Sequence, residues 1–218
     1  MVKYIQHYFV ISARHALSKE GFTVSDLFIP HRLQSKFPIQ IGRGVSFSPA
    51  DVEEDDTAAM DIQIHRILEH HKEETDWEPG EYLDITSYSN DRWRFGLQIS
   101  GFPKQMCGID YDEDKVWGDG VTFQGEHGGD DSSSAGLALF KSSHLVGLDS
   151  NGMSGGAITS EVLGSVELEG IVVQGAGAPQ NDFVRFVTID MIRHQFSQSW
   201  ESLTRVEQDG ATKTDPQA

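Results

Sequence analysis

The chain has 218 residues, 38% of them hydrophobic, and carries 17 basic against 34 acidic side chains for a formal charge of −17. That length suffices for one compact domain or two small packed barrels without covalent staples, and the composition is too apolar for disorder. The acidity opposes binding to nucleic-acid phosphates and anionic membrane surfaces, and no run approaches the ~18 apolar residues of a membrane span.

Residues 8–12 read as a buried strand, with residues 13–17 as a turn or short helical piece at its exit, which sets His15 just beyond a strand end. Further short strands are expected at 37–41, 61–67, 82–87, 95–100, 120–123, 135–140, 156–159, 170–174 and 183–188, separated by turn-forming residues. Many short strands with polar connections and little helical periodicity predict an all-β fold, a barrel or sandwich, rather than alternating α/β. Near the end, Ile192, Phe196, Trp200 and Leu203 fall on one face of a helix over 189–203 and should pack on a barrel.

The polar segment 69–80 best separates two halves. The expected organisation is an N-terminal half over 1–75, a linker over 76–94, a C-terminal half over 95–190, a helix over 191–205 and a tail over 206–218. Cys107 is the only cysteine, so no intrachain disulfide can form. With no signal-peptide pattern at the N-terminus, that predicts a cytoplasmic protein.

Gly152-Met153-Ser154-Gly155-Gly156 sets an isolated serine among glycines, where a nucleophile and an oxyanion site can share one turn. A serine hydroxyl needs a base and a group to orient that base. Asp61 follows His15 by 46 residues and Ser154 follows it by 139, against about 45 and about 138 in the best-known His, Asp, Ser order. Through these three segments the chain resembles the trypsin-like, chymotrypsin-fold serine proteases. Ser100-Gly101-Phe102-Pro103 is similar to the opening of that family's second barrel, and Gly170-Ile171-Val172-Val173-Gln174-Gly175 to the strand lining its substrate cleft.

The resemblance covers about residues 1–195. It implies two six-stranded-type antiparallel Greek-key barrels, the first shortened at its N-terminus, followed by the helix. It also implies a serine endopeptidase that works without metal or organic cofactor on a protein or peptide substrate. His15 would be the general base, Asp61 its orienting carboxylate, Ser154 the nucleophile, and the N–H groups of Gly152 and Ser154 the oxyanion hole. Leu148, Val173, Gln174 and Gly175 would line the substrate site.

Two positions depart from the family. Met153 stands where digestive members carry an activation aspartate, so control must be constitutive, partner-dependent or an ordering of the turn. Leu148 stands where an acidic residue selects Arg or Lys, so a small or apolar side chain is the expected preference. A catalytically silent protease-like domain binding peptides or a regulatory protein partner is the alternative from another class, and an esterase or acyltransferase would use the same triad.

Other signals read as structure. Asp51, Asp55, Asp56 and Asp84 compete with Asp61, whose place before Ile62 and Ile64 on an alternating strand favours it. His65, His70 and His71 lack metal-ligand spacing and read as solvated linker. Asp110, Asp112 and Asp114 open like a calcium loop, but Lys115 and Val121 occupy its required glycine and glutamate positions. Cys107 reads as a packed small side chain and 128–134 as a flexible loop.

Overall fold

Alternating apolar residues, such as Phe9, Ile11 and Ala13 in one run and Leu97 and Ile99 in another, turn one face of each strand inward. The computed structural model describes residues 1–14, 28–29, 39–46, 61–67, 82–86, 96–103, 106–110, 115–132, 134–148, 152–162, 164–175 and 181–204. In chain order the strands are β1 (Val2–Tyr4), β2 (His7–Ala13), β3 (Phe28–Ile29), β4 (Ile39–Ser46), β5 (Ile62–Ile67), β6 (Leu83–Asp84), β7 (Leu97–Gly101), β8 (Cys107–Asp110), β9 (Lys115–Gly118), β10 (Val121–Asp130), β11 (Leu137–Lys141), β12 (Ala157–Val162), β13 (Ser165–Gln174) and β14 (Phe183–Thr188). The helix α1 (Ile189–Thr204) follows β14 directly.

The fold is mostly β. Strands β10-β11-β14-β13-β12-β7 form a closed antiparallel barrel, sealed because β7 pairs with both β10 and β12. The N-terminal strands form an open sheet in the order β3-β4-β5-β2-β1-β6 among the described residues. Its body is the four strands β4, β5, β2 and β1, with two-residue β3 and β6 at the edges, and β6 runs parallel to β1. The hairpin β8–β9 stands apart from both.

The two halves share one strand succession. In the sheet β1 and β2 form a hairpin, the chain leaves β2 for β3 and β4, and β5 returns beside β2. In the barrel β10 and β11 pair, the chain leaves β11 for β12 and β13, and β14 returns beside β11. The barrel has β7 in addition, and that strand closes it.

Two cores result. Leu97, Ile99, Ala138, Phe140, Ile158, Val172, Val184 and Phe186 fill the barrel, with Leu145 and Met153 packed among them. A second core joins the sheet to the outside of the barrel: Val2, Phe9, Ile11, Ile62 and Ile64 meet Leu168, Ile171, Val173 and Val187. Thus β13 is buried continuously from Leu168 to Val173 because both of its faces are covered. The α1 face of Ile192, Phe196, Trp200 and Leu203 lies on this second core rather than on the barrel alone, with Phe196 ring centroids 4.8 Å from Phe9 and 4.9 Å from Tyr4.

Two expectations are corrected. His65 is not in a solvated linker: it sits fully buried in β5, between the paired strands β2 and β4. Residues 128–130 belong to β10 rather than to a loop, because Gly129, at φ +102°, lets the strand bulge while still pairing with β11. His70, His71, the segment 69–80 and the tail 206–218 lie outside the described residues, as do Asp51, Asp55, Asp56, Asp112 and Asp114.

Candidate active site

The site begins at the exit of β2. The Arg14 N–H donates to the Asp61 carbonyl at 2.8 Å, one step beyond the ladder pair Ala13–Ile62. Asp61, half-buried at the head of β5, is therefore tied to the residue just before His15. His15 itself lies outside the described residues.

Ser154 lies on the connection from β11 to β12. The Gly155 N–H donates to the Val172 carbonyl and the Gly156 N–H to the Met153 carbonyl, each at 2.8 Å, and the Val172 N–H returns to the Gly156 carbonyl at 2.9 Å. Those bonds fasten the turn to β13. Gly152 and Gly155 have φ of +87° and +88°, a conformation that side chains with Cβ resist, so the glycines of the motif are required by backbone shape.

The two parts meet. A Cβ built on Gly155 would lie 3.7 Å from the Ala13 nitrogen and 3.9 Å from the Ser12 Cα, which is ordinary van der Waals contact. The serine turn thus rests against the strand end that leads to His15, on the same short exit that binds the Asp61 carbonyl. At this seam the Ser12 hydroxyl is buried without a hydrogen-bond partner among the described residues.

The Ser154 hydroxyl is half-buried and donates to the Val173 carbonyl at 3.5 Å, long for such a bond. Val173 is buried, Gln174 exposed and Gly175 half-buried, so the end of β13 presents an accessible edge beside the serine. Gly152 is exposed at the mouth of the turn. Leu148 is half-buried against the barrel core and gives its neighbourhood an apolar surface.

One polar cluster beside this edge was missed by sequence reasoning. Arg185, opposite Gln174 in the ladder, donates through Nε to Asp131 at 2.5 Å and through Nη1 to Gln174 at 3.3 Å. Its guanidinium also lies 5.6 Å from the Phe183 ring centroid. The available signal was a charged residue inside the apolar run 183–188.

The described residues contain no group of three or more His, Cys, Asp or Glu able to hold a metal ion. The fold and site define a mostly β protein of one closed six-stranded barrel, an open sheet and a C-terminal helix, with a glycine-framed serine at the seam. No protein-family model matches the chain, and none of the curated proteins does.

Proposed function

We propose that the chain is a trypsin-like serine endopeptidase whose open sheet is the counterpart of its Greek-key barrel. The observation that carries this reading is the approach of Gly155 to Ser12 and Ala13, near enough that a Cβ on it would touch both, which sets the serine turn beside the strand exit preceding His15. The Arg14–Asp61 backbone bond supports it from the other side. So does the shared strand succession: His15 follows β2 and Ser154 follows β11, the corresponding strand of the barrel.

In this reading His15 removes the Ser154 proton as the hydroxyl attacks a peptide carbonyl, forming an acyl-enzyme, and passes that proton to the leaving amine. Asp61 orients the imidazole and stabilises its cationic form. The N–H groups of Gly152 and Ser154 hold the carbonyl oxygen as it becomes negative, a contribution of about 3 kcal/mol per donor. The substrate strand lies along Val173, Gln174 and Gly175, and Leu148 favours a small or apolar side chain at the scissile residue.

A fluorophosphonate probe tests the reading. The purified chain should gain one probe mass, mapped to Ser154, while Ser154→Ala gains none. Absence of labelling on the wild type, or equal labelling of both proteins, would reject a serine nucleophile.

A further inference from the structure

We infer that Met153 is a positioning residue that holds the nucleophile turn in its working shape, its buried apolar side chain acting together with the backbone bonds of the turn. This rests on the reading of Ser154 as nucleophile. Met153 is wholly buried and packs in the barrel core, immediately before a serine that must remain half-buried. Its side chain lies over the end of β7: a Cβ built on Gly101 would come within 2.9 Å of the Met153 Sδ and 3.0 Å of Cε. The absence of a Cβ at Gly101 leaves room for the thioether in that seat.

The backbone is fixed as closely as the side chain. The Met153 carbonyl accepts the Gly156 N–H, and a Cβ on Gly156 would lie 2.8 Å from that same carbonyl oxygen and 2.5 Å from the Ser100 carbonyl oxygen. Left-handed glycines stand on either side, Gly152 one residue before Met153 and Gly155 two after it. With the thioether seated in the core and these glycines bending the chain, Ser154 is the residue held at the apex. The turn is thereby ordered through packing and backbone bonds rather than through an ion pair at position 153.

The test combines two readouts on the full chain, the rate of fluorophosphonate labelling and amide hydrogen exchange at Gly155 and Gly156. Met153→Ala should lower the labelling rate about 100-fold, as expected when oxyanion geometry is lost, and should deprotect both glycine amides while β11 and β14 stay protected. Met153→Leu, which restores an apolar group of similar volume, should recover labelling to within about tenfold of wild type. Wild-type labelling and protection in Met153→Ala would overturn the inference. Should Met153→Ala unfold the barrel, the smaller truncation Met153→Val takes its place: it should slow labelling and deprotect the Gly155 and Gly156 amides, and unchanged labelling and protection overturn the inference. A wild type that never labels removes the hydrolase reading, whereas the anchor itself is still decided by the Gly155 and Gly156 amides.

Discussion

The closed barrel and the open sheet follow the same strand succession, yet among the described residues only the barrel has a strand, β7, bonded on both sides to seal it. The barrel therefore keeps a core of its own, whereas the sheet's inward residues Phe9, Ile11, Ile62 and Ile64 are buried in the core shared with the barrel's outer face and α1. This division bears on the site. The serine turn is fastened to the self-sufficient half, and the β2 exit is held in register from across the shared core.

The largest effect is expected where the two regions depend on each other. Phe196→Ala removes the ring that packs on Phe9 and Tyr4, and should destabilise the protein by about 4 kcal/mol in denaturant unfolding. Because the sheet's described inward residues are buried in the shared core, unfolding should remain one transition followed equally by probes in both regions. A separate early loss of the sheet, with the barrel intact, would show that the halves are less interdependent than the shared core indicates.

A second change strikes the barrel alone. A Cβ on Gly170 would lie 2.3 Å from the Val187 carbonyl oxygen, a backbone atom that cannot swing away. Gly170→Ala should therefore cost about 3 kcal/mol by overpacking the β13–β14 ladder, measured by the same unfolding experiment. A loss below about 1 kcal/mol would mean that the ladder is far more yielding than its closure suggests.

The smallest effect is a pH dependence on the barrel side. Burial pushes His127 below the usual imidazole range, with Asp130 opposing the shift from 3.9 Å away. The unfolded chain then takes up a proton more readily than the folded one. The His127 contribution is complete above the unfolded value of about 6.5 and is lost as pH falls toward the lower folded value. His127→Asn should therefore lessen the fall in Tm between pH 7 and pH 5, and an unchanged pH profile would contradict this.

Legibility in the sequence followed the physics of each segment. Strongly alternating or continuously apolar runs announced β2, β5, β7, β11 and β14, and residues 183–188 match β14 as expected. The strands β1, β8 and β9 have three or four residues and mixed polarity, too little pattern to distinguish from loop. Gly129 suggested a loop because a bulge uses the same residue. At the site, the glycine frame of Ser154 was legible because positive φ demands glycine, whereas the seat of Met153 lies against Gly101, distant in sequence, and left no local mark. The Arg185–Asp131 pair was hidden in the same way, since its partners come from β14 and the residue just after β10.

The central claim is that the two halves act at one site, and the most direct measurement is peptide hydrolysis by His15→Ala, Ser154→Ala and the double variant. Residues that act as a unit predict a loss of about 10⁶-fold in kcat for each single change and no further loss in the double. Hydrolysis that persists in His15→Ala, or a double variant whose losses multiply, would contradict the account.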